Sequence, residues 1–192
     1  FPMLIMEAAY RKRPELIEQA MITNAFQLRH RLSFETFVGA LDIAKPIDGA
    51  PACMSFEARY NTPWFMSAHG DVAVSHQMIM VPNFSHYDLL WLRYPLVHNV
   101  PAMRDVGVGY YYEDCRAIEG GDALIRAMTE HDARREEYND AADRFLDGVM
   151  ALAGTSARAA DAALVAAAEK EGQLVVYGGD ISETPHQVKR FM

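Results

Sequence analysis

The chain has 192 residues, 51% of them hydrophobic and 23% charged, and a formal net charge of −8. That length holds one domain with a real core, or one domain plus an extension. The acidic balance argues against non-specific binding to nucleic acid, because no basic field offsets phosphate repulsion. Arg11, Lys12, Arg13, Arg29 and Arg31 nevertheless leave the first segment locally basic.

No apolar run is long enough to span a bilayer, and no signal peptide stands at the start. Cys53 and Cys115, far apart and in no metal-like spacing, are expected to be free thiols in a reducing compartment, which points to the cytoplasm. The chain opens with Phe1-Pro2 inside a helical apolar pattern, so a fragment with an upstream part missing is expected.

Met3, Leu4, Met6, Ala9 and Tyr10 repeat with helical spacing, and this helix should end near Arg13-Pro14. Gln19–Thr23 reads as a strand closed by Asn24. Phe34, Phe37, Val38 and Leu41 form the stripe of a second helix, with Ser33 as its candidate cap. Leu41–Ala44 reads as a short strand, and Lys45–Ala52, with two Pro, Gly and Asp, as a loop. Ala58–His69 reads as a helix with Pro63 in its first turn and Gly70 at its end. Three short runs rich in Val and aromatic residues, Asp71–Ser75, Pro95–Val97 and Val106–Tyr112, read as strands, with a short helix at Tyr87–Arg93 between the first two. Ile118–His131 and the stripe Tyr138, Ala141, Ala142, Phe145, Leu146, Val149, Met150 read as the last two helices of this part.

The order strand, helix, strand predicts an α/β domain with a parallel sheet and crossover connections. Ligands of open α/β sheets sit at the carboxyl ends of the strands. There the sequence places His76 and Gln77 after one strand and His98 and Asn99 after the next. Each pair can present hydrogen-bonding groups to a ligand, and His98 can also act as an acid or base. Equally, His76 and Gln77 can bond loop backbone, and Asn99 suits a left-handed turn. Asn83 fits the cap of the following helix and Asp88 suits the dipole of its amino end. His76, His86 and His98 have no zinc spacing, so no metal is expected. Gly107-x-Gly109 lacks the third glycine of a dinucleotide fingerprint.

Ser75-His76-Gln77, Asn83, Tyr87-Asp88, Tyr94–Asn99 and Gly109–Tyr112 together resemble a bacterial family of unknown function whose members look like glycosyltransferases. The resemblance covers most of Phe1–Met150. It implies a GT-B-like enzyme, with two Rossmann-like domains and a nucleotide-sugar in the cleft between them. This chain would supply mainly the C-terminal, donor-binding half, with no cofactor beyond the donor substrate and with the missing N-terminal domain as its partner. His76, Gln77, Asn83, Tyr87, Asp88, His98 and Asn99 would then contact the donor, Asp88 by accepting from a ribose or sugar. The sequence departs from the layout of retaining GT-B enzymes: Arg93-Tyr94 replaces a small residue before Pro95, Met80 stands eight positions before Asp88 where a Glu is usual, and Met78–Val81 is apolar.

From Ala151 the composition shifts to Ala-rich sequence, expected to be helical over Ala159–Glu171, with a strand at Gln173–Tyr177. The expected division is therefore 1–150 and 151–192. The tail resembles the start of a periplasmic solute-binding protein, which raises a composite chain. A non-catalytic nucleotide- or ligand-binding module, motivated by Met78–Val81, stands as the other alternative to a sugar-transferring enzyme.

Overall fold

In a computed structural model of the chain, residues 1–47 and 49–152 are described. Contacts divide the chain into Phe1–Val149 and Met150–Met192. The expected tail helix and strand lie outside the described residues.

Phe1–Val149 is a mixed α/β unit. Helix α1 spans Pro2–Lys12, with Pro2 in its first turn where the missing N–H costs nothing, and Arg11 and Lys12 in its last turn where the dipole favours cations. A 3₁₀ turn at Pro14–Leu16 leads into strand β1, Ala20–Ile22. Helix α2 spans Leu32–Gly39 and strand β2 spans Met54–Phe56. Helix α3 spans Thr62–His69, capped by the Asn61 side chain and ended by Gly70. Then come β3 (Ala73–Val74), α4 (Phe84–Trp91), β4 (Leu96–His98), α5 (Pro101–Val106), β5 (Tyr110–Tyr111) and α6 (Ala117–Glu130). A last helix, α7, runs from residue 135 to the end of the described residues.

Among the described residues, each of these strand pairs is parallel. β1 pairs with β2, Ala20 opposite Met54, in a two-stranded sheet. β3, β4 and β5 form a three-stranded sheet in that order, Val74 opposite Val97 and Val97 opposite Tyr110. The crossovers are made by α4 and α5, as parallel neighbours require. β4 is the central strand, and Leu96, Val97 and His98 are all fully buried. Leu96 and Val97 are apolar because a strand covered on both faces has no polar side to show.

Four expectations need correction. Leu41–Ala44 is not a strand: Asp42–Ala44 is a 3₁₀ turn, held because Glu7 accepts the N–H groups of Asp42 and Ile43. Val106–Tyr112 is a strand only at Tyr110–Tyr111, since Pro101 starts a six-residue helix that takes Val106 and ends at a left-handed Gly107. Ser33 is not a cap, because α2 already begins at Leu32. The stretch Ala58–Asn61 precedes α3 instead of belonging to it, because Asn61 accepts from Trp64 N–H and starts the helix there.

α1 lies along α6, which in turn covers β4 and β5. Glycines permit the close approach. A methyl group on Gly120 would sit 2.7 Å from Ile5, and one on Gly121 would sit 2.8 Å from Ala8. This packing sets the amino end of α1 at the carboxyl ends of β3 and β5: the Phe1 ring lies 4.2 Å from the His76 ring and 6.4 Å from that of Tyr112.

Candidate functional site

The carboxyl ends of β3, β4 and β5 converge on one polar cluster. Asn99, buried just past β4, accepts from Gln77 N–H (2.8 Å) and donates to the Gln77 carbonyl (2.9 Å). Its amide thus imitates the peptide group of a neighbouring strand and fixes the loop after β3. An acid or an aliphatic side chain at 99 could not make both bonds.

His98 is fully buried. Its Nε2–H donates to the Val108 carbonyl (2.8 Å) and its Nδ1 accepts from Val100 N–H (3.1 Å). A backbone N–H can only donate and a carbonyl only accept, so these partners define a neutral ring protonated at Nε2. Burial, only partly opposed by the Val108 carbonyl, lowers its pKa to about 4. Both nitrogens are consumed by backbone, so His98 offers nothing to a ligand here; it holds the turn after β4 against the loop before β5. The expectation that it presents a donor, acid or base is corrected on that ground. Gly109 makes room for the ring: at φ +78° it takes a left-handed conformation, and a Cβ there would stand 2.5 Å from the imidazole.

His86 is the other buried ring. Asn83 caps α4 by accepting from His86 N–H, while His86 Nδ1 accepts from Asn83 N–H, a reciprocal capping box. With Nδ1 an acceptor, Nε2 carries the proton and donates to Ser75 Oγ at 2.7 Å. Burial lowers its pKa to about 4 as well. The cap at Asn83 was legible in the sequence; His86 as its partner was not, because capping boxes are recognised by Glu or Gln at that position.

His76 differs from both. It is half-buried beneath the Phe1 ring. Tyr112 donates its hydroxyl proton to the Ser75 carbonyl (3.0 Å), so the 2.9 Å bond to His76 is donated by His76 Nδ1–H. Nε2 is left with its lone pair and no backbone partner; it accepts from the exposed thiol of Cys115, 3.8 Å away. Burial lowers its pKa, which keeps the ring neutral. Gln77 reaches Ser75 Oγ through its side-chain amide at 3.3 Å. Ser75 and Tyr112, both among the residues that carry the family resemblance, join the cluster.

Among the described residues, the side chains of Tyr87 and Asp88 make no hydrogen bond to this cluster. Tyr87 stacks on Phe145 of α7 at 6.2 Å, and Asp88 makes no side-chain hydrogen bond or ion pair among the described residues. The departure at Arg93-Tyr94 has a structural use. Arg93 takes a left-handed φ of 64° to end α4, Arg93 N–H and Tyr94 N–H bonding back to Leu90 and Leu89. Arg93 then pairs with Asp143 of α7 at 2.5 Å, and Tyr138 donates to the Tyr94 carbonyl at 2.7 Å. In the altered Met78–Val81 segment, Met78 and Ile79 are nearly fully exposed beside the cluster.

A cavity of about 1260 Å³ opens between β1 and β3 and meets the cluster at Ser75 and His86. Thr23, Tyr60, Thr62, Ser85 and Asn83 also line it, so hydroxyl and amide groups are among its polar groups. No group of His, Cys, Asp and Glu among the described residues is arranged to hold a metal. No helix among them is long and apolar enough to cross a membrane.

Fold and site together define an α/β domain of parallel strands whose carboxyl ends carry a neutral, hydrogen-bonded cluster beside a large cavity. The chain belongs to the family described as "Protein of unknown function (DUF2827)", whose model matches residues 1–164, past the composition shift at Ala151. No curated protein and no solved structure matches the chain.

Proposed function

We propose that this domain is the Rossmann-like, donor-binding half of a GT-B-type glycosyltransferase-like protein, and that it binds a nucleotide-sugar at the carboxyl ends of β3, β4 and β5. The observation that carries the reading is the convergence of the loops after β3 and β4, locked together by Asn99 and Gln77, around a half-buried His76 whose Nε2 meets only the exposed thiol of Cys115, a weak donor that a ligand hydroxyl can replace. Parallel α/β sheets bind ligands at this edge. A lone pair at Nε2 suits it to accept from a ribose or sugar hydroxyl. The amino end of α1 stands against the same ring and suits an anionic diphosphate. His98, Asn99, Asn83 and His86 are positioning residues, which hold the loops that would frame the donor. Stabilisation of the leaving diphosphate would be electrostatic, from neutral donors and the helix end. The acceptor's base would come from the other half of the enzyme, so this chain alone is expected to turn over no nucleotide-sugar.

The test is the melting temperature of the chain against a panel of nucleoside diphosphates and nucleotide-sugars. Binding to the folded state raises it, by about 2.7 kcal/mol of stability at a hundredfold excess over Kd. One nucleotide should raise it, His76→Ala should abolish the rise, and Asp88→Asn should leave it. A cooperative melt indifferent to every nucleotide would sink the reading.

The exposed Met78 and Ile79 at the site favour a second reading, a binding module without catalysis. It predicts nucleotide binding with no transfer even when the other half is supplied.

A further inference from the structure

The two sheets turn unsatisfied edges toward each other. In the β1–β2 ladder, Ala20 N–H bonds to Cys53 and the Ile22 carbonyl accepts from Glu57. Residues of a parallel strand address opposite neighbours in alternation, so the N–H and C=O of Met21 point away from β2. In β3, Ala73 N–H bonds to Pro95 and Ser75 N–H to Val97. By the same alternation, Val72 and Val74 point away from β4. Met21, Val72 and Val74 all line the 1260 Å³ cavity. Two parallel edges therefore face one gap.

The gap has the character of a strand site. Leu124 and Ala127 of α6, Phe65 and Met66 of α3 and Leu89 of α4 give it apolar walls, and all five are buried. An internal parallel strand is covered by helices in this way. Its volume exceeds the roughly 300–1,000 Å³ of ordinary small-molecule pockets. We propose that the gap takes a sixth, parallel β-strand, the peptide joined to the amino end of α1, pairing with β1 on one edge and β3 on the other.

The position of α1 selects this occupant. Phe1, the cap of its amino end, lies against His76, just past Ser75 at the carboxyl end of β3, and its last residue leads through the Pro14–Leu16 turn into the start of β1. Helix α1 thus runs opposite to the strands, as the helix of a βαβ unit must. A strand feeding it ends at the carboxyl edge, beside β1, which is where the gap lies. Counting that strand first, the sheet order becomes 3-2-1-4-5-6, the order of a doubly wound dinucleotide-type sheet with its ligand crevice between strands 1 and 4. The inserted strand would be apolar and β-branched, since it is covered on both faces.

This inference rests on the edges and on α1, not on the donor reading, and its test is separate. Amide exchange is measured for the chain starting at Phe1 and for the polypeptide extended by the residues its reading frame encodes upstream. The extension should slow exchange of the Met21 and Val74 amides by at least about a hundredfold, as expected of amides moved from an edge into a ladder. Equal rates in the two proteins, a reading frame with no extended apolar run upstream, or protection that tracks self-association of the chain starting at Phe1 would each overturn it. Val74→Pro gives an independent readout. Proline is tolerated on an edge strand but not inside a sheet. The substitution should leave the melting temperature of the chain starting at Phe1 within a few degrees and lower that of the extended protein much further. Equal effects on both would overturn the proposal, whatever nucleotide either protein binds.

Discussion

Around β3, β4 and β5 a cluster of nineteen buried apolar residues draws on α1, α3, α4, α5, α6 and α7; around β1 and β2 the buried cluster is Ala20, Leu41, Ile43 and Met54. The smaller region cannot rest on its apolar burial to the same degree, and it is held to the larger one by a buried carboxylate. Glu7 of α1, 6% exposed, accepts from Asp42 N–H and Ile43 N–H, both at 3.0 Å, and from Arg11 at 2.5 Å. Burial pushes its pKa up, but the Ile43 and Asp42 amides and Arg11 together outweigh it and hold the carboxyl below its ordinary value. The larger region does the reverse with its buried rings, keeping His86 and His98 uncharged. One region is fastened by a charge that is kept, the other by charges that are refused.

Acid should separate the two most widely. His86 and His98 have folded pKa values of about 4 against 6.5 for the free group, so the unfolded chain takes up protons first as pH falls. Their contribution is complete above about pH 6.5 and is lost between there and about pH 4, on the order of 3 kcal/mol for each ring. The urea midpoint should fall steeply across that window. A midpoint that is flat over it would contradict two buried neutral imidazoles. Glu7, its pKa lowered, gives stability above the ordinary Glu range that is lost only as pH falls through its folded value, so its loss belongs to the acid end.

Gly109→Ala should cost about 3 kcal/mol, from a left-handed φ and a methyl group driven into the His98 ring and the Leu96 carbonyl. The loss should appear in the denaturant midpoint, and amide exchange at Leu96–His98 should quicken more than at Ala20–Ile22. Equal quickening in both sheets would mean that the two regions unfold as one. Glu7→Ala should cost about 2 kcal/mol by leaving the Asp42 and Ile43 amides without an acceptor. Here the pattern should invert, with exchange rising first at Asp42, Ile43 and Ala20. Unchanged exchange at Ile43 would remove the carboxylate from its assigned role.

The larger region was also the more legible in the sequence. Three short apolar runs, punctuated by Gly70, Asn83, Pro95 and Gly109, gave its parallel order, and Asn83 gave the cap of α4. Strand β2 escaped because Met54-Ser55-Phe56 is three residues long and follows a Pro/Gly loop. Helix α5 escaped because six residues cannot display a helical period. The convergence of His76, Gln77, His98 and Asn99 followed from the rule about strand ends. Their separate duties did not, because His98 and Asn99 bond to backbone atoms, and a main-chain partner leaves no residue type to read. The 3₁₀ turn at Asp42–Ala44 was hidden for the same reason: Glu7, its acceptor, is 35 residues away from Asp42.

The Asn99–Gln77 pair carries a chemical liability with it. Hydrolysis of the Asn99 side-chain amide, in which water replaces the nitrogen and ammonia leaves, would keep the acceptor facing Gln77 N–H in place but turn the donor facing the Gln77 carbonyl into a second oxygen. Two lone pairs would then confront each other across 2.9 Å with Asn99 buried. Burial of Asn99 and the branched Val100 that follows slow that reaction in the folded protein, so the fold protects this bond. A molecule that spends time unfolded would return with that clasp broken, its loop after β3 released, and its core otherwise intact.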